Sequence, residues 1–318
     1  LMSGSADGRI LVTGALGQIG TDLVERLREL YGSEMVLASD IREIPDHPCI
    51  LGGPFSILDV LNDEIFQLVQ DENIATIYHL AAILSAKGEK NPDFCELINV
   101  GGTRNILEAA RIHQIRVFIP SSIAVFGPDA PKHAPQITPL NPTTKYGMTK
   151  VDCEILGMIY WEKYGVDVRG IRYPGLISWK SPVSGGTTDY AVDIFHAALS
   201  SSESYDCFVS ADTILPMMYI DDAIRATISL MNEPLGSMSS ARCRYNISGL
   251  SFSAEELSAE IKRHIPNFVC RYKPDIRQSY ADSWPDSVDG AIARNDWGWE
   301  SSFELETMVV EMLANMTK

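Results

Sequence analysis

Thr13-Gly14-Ala15-Leu16-Gly17-Gln18-Ile19-Gly20 joins a short apolar run, Ile10-Leu11-Val12, to a segment that carries Ile19, Leu23, Leu27 and Leu30 on one stripe. The run has the length and composition of a buried strand, and the stripe has the spacing of an amphipathic helix. Glycines at such a junction let the backbone turn tightly, approach a pyrophosphate and pack the helix close to the sheet. A helix that starts there aims free N–H groups and a partial positive charge at an anion. The spacing is GxxGxxG, with Ala15 standing at the first glycine of the more familiar GxGxxG register.

Asp40 closes the next apolar run, Met35-Val36-Leu37-Ala38-Ser39, and lies 20 residues beyond Gly20. A carboxylate at that place accepts the ribose hydroxyls of an adenosine and repels a 2′-phosphate, so the pattern predicts NAD rather than NADP. Arg42 stands close enough to offset part of that repulsion, and a plain strand cap is the other reading of Asp40. Asp59-Val60, after a third strand, is placed to flank the adenine; a solvated Asp59 is the alternative.

Further along, the strand Thr76-Ile77-Tyr78-His79-Leu80, a helix near 94–113, the strand Val117-Phe118-Ile119, a helix over 145–164 and the strand 168–172 follow in turn. Strands separated by helices need crossover connections, which predicts a parallel sheet covered on both faces. The expected fold is α/β, a Rossmann doubly wound parallel sheet with a smaller C-terminal substrate-binding lobe. Residues 1–174 form the NAD-binding domain, and 175–318 form mainly the substrate lobe, with some segments returning to the core. Helices are expected near 189–200, 221–232 and 253–264.

Composition narrows the partners. With 42 Asp and Glu against 26 Lys and Arg, the net charge of −16 speaks against nucleic acid, which needs a basic face. No apolar run reaches the roughly 18–20 residues that cross a bilayer, so no membrane role is expected. No two of the six cysteines lie closer than 27 residues and the six histidines form no HxxxH pair, so no metal site is expected. The opening residues 1–8 are too few and too polar for a signal peptide and read as a trimmed end.

Tyr146-Gly147-Met148-Thr149-Lys150 puts a phenol and an ammonium four residues apart on one helix face. An ammonium beside a phenol favours the phenolate form. Ser121-Ser122 falls at the carboxyl end of the strand 117–120, where a parallel sheet opens. There Ser122 can orient a substrate hydroxyl while Tyr146 takes its proton and Lys150 assists. These three are the expected catalytic residues.

Gly14/Gly17/Gly20, Asp40, His79-Leu80-Ala81-Ala82, Asn99-Val100-Gly101-Gly102-Thr103, Ser121-Ser122, Tyr146/Lys150 and Tyr219-Ile220-Asp221-Asp222-Ala223 together resemble the extended short-chain dehydrogenase/reductase family. The resemblance spans nearly the whole chain. Within that family, Arg172–Ser178, Gly185–Val192, Leu215–Tyr219 and Ser283–Ser287 are similar to the branch that oxidises L-threonine. That branch often carries Thr where this chain has Ser122; both supply one hydroxyl donor and two lone pairs. The resemblance implies oxidation of the 3-hydroxyl of L-threonine to 2-amino-3-oxobutyrate, with hydride transfer to NAD.

It also implies residue roles. Gly14, Gly17, Gln18, Ile19 and Gly20 would hold the pyrophosphate. Asp40, Asp59 and Val60 would hold the adenosine, and Leu80, Ala81, Asn99, Tyr146, Lys150 and Tyr173 the rest of the cofactor. Ser85, Ser122, Tyr146, Gly186, Thr187, Thr188, Asp189 and Trp284 would contact substrate, although Asp189 also reads as a helix N-cap and Trp284 as a packing residue. The family implies a homodimer through the helices near 94–113 and 145–164 and functional coupling to 2-amino-3-oxobutyrate CoA lyase. It implies the mitochondrial matrix in a eukaryote and the cytoplasm otherwise. A nucleotide-sugar epimerase or dehydratase is the alternative and needs a second pyrophosphate site, for which Arg225, Arg242, Arg244, Arg271 and Lys273 are the candidates. A non-catalytic NAD sensor is the third reading, and retention of both Tyr146 and Lys150 disfavours it.

Overall fold

Residues Arg9–Thr13 form β1, and the glycine turn leads into helix α1, Gln18–Tyr31. The computed structural model describes residues 8–183 and 185–317; the opening residues 1–7, expected to be a trimmed end, lie outside the described residues. β2 (Val36–Asp40), a short helix α2 (Pro48–Leu51), β3 (Phe55–Ile57), α3 (Glu64–Asp71) and β4 (Ile74–His79) follow. Next come α4 (Ser85–Lys90), α5 (Pro92–Glu96), α6 (Gly102–His113), β5 (Arg116–Phe118) and β6 (Ser121–Ser122). β7 (His133–Ala134), α7 (Lys145–Tyr164), β8 (Val168–Arg169), β9 (Ile171–Tyr173) and β10 (Gly175–Ile177) close the first part of the chain.

The main sheet has six parallel strands in the order β3-β2-β1-β4-β5-β8. Alternate strand residues feed opposite faces: Leu11, Leu37, Ile77 and Val117 join Ile106 and Leu107 of α6, whereas Val12, Ala38, Tyr78 and Phe118 join Leu23 and Val24 of α1. Both faces are therefore covered, as crossover connections require. Strand order reverses between β1 and β4, and the crevice at their carboxyl ends is where such sheets bind ligands.

Two expected elements differ. The single helix over 94–113 is broken by a π-helical turn, Leu97–Gly101, between α5 and α6. The wide turn carries Asn99, whose side chain is buried and bonded to the backbone of Ile83 on both sides. The strand expected over 168–172 divides at Gly170, into β8 paired with β5 and β9 paired with β6. A Cβ at Gly170 would sit 2.3 Å from the Cys243 carbonyl and 2.6 Å from that of Ile119, so only glycine lets the chain pass there. Likewise Ser121-Ser122 does not end β5; after Pro120, which has no N–H to donate, it forms its own pairing with Arg172 and Tyr173.

Beyond β10 the chain forms α8 (Tyr190–Ala198), β11 (Ser204–Cys207), β12 (Ile214–Tyr219) and α9 (Ile220–Asn232). β13 (Tyr245–Asn246), β14 (Leu250–Ser253), α10 (Ala254–His264), β15 (Val269–Tyr272) and α11 (Ile276–Asp282) follow. β13 pairs with β9, so one late segment returns to the strands that carry Ser122. No helix among the described residues is long and apolar enough to cross a membrane, and none of their His, Cys, Asp and Glu side chains cluster in threes around a metal position.

Candidate active site

The glycine turn is shaped for close approach. Gly14 has φ of +66°, the left-handed region that favours glycine, and a Cβ there would lie 2.6 Å from the Ala81 nitrogen. At Gly20 a Cβ would lie 2.5 Å from the Gly14 oxygen, which is how helix α1 packs so tightly under the turn. At Gly17 only the Gly14 oxygen is near, at 3.3 Å, and the rest of that face is open. Such a cradle, facing the first N–H groups of α1 at Gln18 and Ile19, fits a pyrophosphate.

Asp40 is buried at the end of β2. Its carboxylate accepts the Leu16 N–H at 3.2 Å and the Arg42 guanidinium at 3.0 Å. A carboxylate at this strand end fits ribose hydroxyls, and Arg42, half exposed, is the group beside it. Asp40→Ser frees that guanidinium for a 2′-phosphate. Hydrogen bonds to charged groups are worth about 1.5–3 kcal/mol, so the ratio of NADP to NAD efficiency should rise about 10- to 100-fold, read from kcat/KM with each cofactor. Asp59 accepts the Leu61 N–H at 3.0 Å, and Val60 is buried beside Gly102. Leu80 donates its N–H to the Thr13 carbonyl at 3.1 Å, and the Ala81 N–H reaches the Thr13 hydroxyl at 3.4 Å, which ties the ends of β1 and β4 together. His79 shares a 2.8 Å hydrogen bond with that hydroxyl through Nδ1. Burial, reinforced by the Lys150 charge, pushes the imidazole down to about 3, so it stays neutral near pH 7.

A cavity of about 140 Å³ lies where the main sheet meets the later segments. Its lining joins Ser122, Tyr146 and Lys150 to Ser85, Gly186, Thr187, Thr188, Asp189 and Trp284. Gln18, Ile19, Leu80 and Tyr173 also line it. Lys150 is buried, donates to the Pro120 carbonyl at 3.0 Å, and holds its Nζ 5.6 Å from the centre of the Tyr146 ring. Ser122 Oγ accepts the Ala124 N–H at 3.1 Å, which leaves its hydroxyl hydrogen to donate elsewhere.

Ser85 and Thr187 share a 3.3 Å hydrogen bond, and the Ala86 N–H meets the Gly185 carbonyl at 3.1 Å. These bonds dock the glycine segment onto the start of α4. Asp189 stands at the N-cap position of α8, but Oδ2 accepts the N–H groups of Gly185 and Gly186, at 2.9 and 2.8 Å, instead of those of the helix. Burial raises its pKa above the usual carboxylate value. Trp284 is both buried and on the cavity wall.

Gly14, Gly17, Gly20, Asp40, Asp59, Val60, Ala81 and Asn99 do not line this cavity. The first seven lie along the turn and strand ends that fit the adenosine and pyrophosphate. Asn99 instead staples the 83 loop to α7 through Thr149 Oγ1, 3.0 Å away. Tyr173 lines the cavity, and its hydroxyl pairs with Thr227.

Sequence reading missed what lies behind Ser122, Tyr146 and Lys150. Glu154, one further turn along α7 from Lys150, accepts Ser121 Oγ at 2.5 Å and the Arg172 guanidinium at 2.8 and 2.9 Å, all buried. This network fixes β6 against α7 and so holds Ser122 relative to Tyr146. The signal was present: Tyr146, Lys150 and Glu154 repeat every four residues.

The sequence profile described as the NAD dependent epimerase/dehydratase family matches residues 10–247. The chain belongs to that family. The bovine "L-threonine 3-dehydrogenase, mitochondrial" is 44% identical over 96% of this chain and 82% of its own length. The monomeric L-threonine 3-dehydrogenase from a metagenome, in its apo form, superposes with a TM-score of 0.93 at 51% identity, covering 96% of this chain and 98% of the other. The holo form of L-threonine dehydrogenase from Cupriavidus necator gives a TM-score of 0.93 at 47% identity, covering 96% and 99%.

Proposed function

We propose that this enzyme oxidises the 3-hydroxyl of L-threonine to 2-amino-3-oxobutyrate with NAD as the hydride acceptor. The observation that carries the reading is one small cavity that joins Ser122, Tyr146 and Lys150 to the hydroxyls of Ser85, Thr187 and Thr188 and the carboxylate of Asp189. The five cationic residues that a nucleotide-sugar enzyme would need are all absent from its wall. Arg225 is held by Asp222 and stacks on Trp299, Arg242 is held by Asp167, and Arg271 and Lys273 are held by Asp206.

NAD, held through the Gly14–Gly20 turn and the Asp40 carboxylate, would supply a two-electron acceptor when bound. Ser122 donates a hydrogen bond to the substrate hydroxyl oxygen and orients it. The Tyr146 hydroxyl, with no protein hydrogen-bond partner among the described residues, takes the departing proton as general base. Lys150, fixed by the Pro120 carbonyl, supplies positive charge beside the Tyr146 ring. Asp189 Oδ1 carries no hydrogen bond from the described residues and is the acceptor for the substrate ammonium, whose charge opposes the rise that burial causes. Thr187 and Thr188 serve the carboxylate.

NADH absorbance on mixing with NAD and L-threonine, beside D-threonine, L-serine and UDP-galactose, tests the substrate. NADH should form strongly with L-threonine alone; silence with it rejects the assignment.

Residues 1–174 are assigned to cofactor binding and 175–318 mainly to substrate binding. A homodimer is proposed through the helical segments 94–113 and 145–164, where Phe94, Leu97, Ile112, Met148, Ile155 and Ile159 are each 43–53% exposed. Such a patch is what a partner copy covers. Light scattering should give twice the 35.1 kDa chain mass, and Ile155→Glu should give one chain mass with the fold retained. The metagenome relative is monomeric by its own description, so a single chain mass for the unaltered protein removes this proposal. A mitochondrial matrix location is proposed for a eukaryotic source and the cytoplasm otherwise, the bovine relative being mitochondrial by its own name, and the unstable product calls for a CoA lyase downstream.

A further inference from the structure

Five of the six cysteines, at 49, 95, 153, 207 and 243, are at most 4% exposed; Cys270 is the sixth and is partly open to solvent. It lies on β15, which runs parallel to β11 with Tyr205 opposite Cys270 and Cys207 opposite Tyr272. Cys207 and Cys270 are therefore diagonal neighbours on one face of a two-stranded sheet. The two thiols are close enough to perturb each other, and Ser258 of α10 and Tyr272 stand near the Cys270 sulfur. The neighbouring Cys207 thiol holds the Cys270 thiol below its usual value, while Cys207 is itself raised by Cys270 and by burial. A partly exposed thiol with thiolate character and a second thiol beside it is the arrangement that oxidants select.

We propose that Cys270 is a redox modification site, oxidised by peroxides and resolved by Cys207 into a reversible disulfide that restrains the substrate-covering segments. In the first step the Cys270 thiolate sulfur attacks hydrogen peroxide: an S–O bond forms, the O–O bond breaks, and hydroxide leaves and takes up a proton as water. In the second, the Cys207 sulfur attacks the Cys270 sulfenic acid: the S–S bond forms, the S–O bond breaks, and the departing hydroxide takes the Cys207 proton. Two thiols lose two electrons in all, and one peroxide becomes two waters.

The effect on the site follows from what the strands carry. The Lys273 and Asp275 N–H groups bond to the carbonyls of Cys207 and Phe208, and this link leads directly into α11 and Trp284 on the cavity wall. Arg277 of α11 lies 3.2 Å over the Phe208 ring, and that ring meets Tyr190, the neighbour of Asp189, with centroids 5.8 Å apart. Diagonal neighbours on adjacent strands lie about 7–8 Å apart at Cα, just beyond the roughly 4.4–6.8 Å of a disulfide. Bond formation must draw the strands together, and the pull reaches both Trp284 and Asp189. A bridge under such tension is readily reduced, as regulatory disulfides are.

The test treats the reduced full-length protein with stoichiometric hydrogen peroxide, blocks free thiols, and maps peptides under non-reducing conditions. A peptide linked through Cys207 and Cys270, removed by dithiothreitol, is expected, with a several-fold higher KM for L-threonine and unchanged NAD affinity in the oxidised form. In Cys207→Ser, Cys270 should stop at the sulfenic acid, trapped by dimedone. Cys270→Ser, at the more open position, should abolish the response even if the Cys207 variant fails to fold. The proposal is overturned if Cys270 stays reduced, if it runs to the sulfinic acid without linkage, or if linkage leaves KM unchanged. The linked peptide is read by mass without turnover, so its absence and a failure of the threonine reading are separate results.

Discussion

Tyr146→Phe should lower kcat with L-threonine by about 10²–10⁴-fold, the usual contribution of a positioned general base, while NAD binds as before. The substitution removes one oxygen and keeps the ring under Lys150 Nζ. No protein group among those described hydrogen-bonds to that oxygen, so the fold has nothing to lose by its removal. Stopped-flow turnover gives the rate, and quenching of protein fluorescence on NAD addition gives the affinity. Retained turnover would mean that another group takes the proton; a loss of NAD binding would mean that the hydroxyl holds cofactor instead of acting on substrate.

Gly20→Ala should act on the other half of the machinery. The new Cβ meets the Gly14 oxygen at 2.5 Å and Ala15 backbone atoms at 2.7 Å. These are backbone contacts, so neither side can move aside cheaply and α1 must lift from the turn. Overpacking of this kind costs about 1–3 kcal/mol, and the melting temperature should fall by several degrees. The same displacement opens the cradle, so NAD affinity should weaken by at least about tenfold, equivalent to 1.4 kcal/mol. Calorimetric NAD titration and a thermal melt check the two together. Unchanged affinity would place the pyrophosphate away from this turn.

Most of the fold was legible because its signals are local. The helix over 145–164 is bounded by Thr144, whose side chain accepts the Gly147 N–H, and by Gly165 with φ of +70°; both caps are written in residue type. The glycine turn and Asp40 were legible because close approach and a strand-end carboxylate each demand particular residues. Legibility failed where a distant contact decides. Gly170 breaks its strand because the Cys243 and Ile119 carbonyls crowd it, and neither is near in sequence. The π-helical turn at 97–101 goes with a bond from the buried Asn99 to the Ile83 carbonyl, which periodicity cannot reveal.

The candidate site shows the same division. The residue types along one cavity wall follow from a four-residue spacing on α7, but the direction of each side chain does not. Asp189 turns back to its own glycine loop, and the Tyr173 hydroxyl leaves the cavity for Thr227. Glu154 was visible as the third member of the Tyr146–Lys150 stripe. Its role needed Arg172, 18 residues away on a strand, to be seen beside it.

The most direct measurement uses L-threonine deuterated at C3 with unlabelled NAD, and mass spectrometry of the reduced cofactor. Hydride transfer from C3 in the cavity of Ser122, Tyr146 and Lys150 predicts that each reduced cofactor carries one deuterium. Unlabelled NADH, or no reduced cofactor at all, would contradict the account.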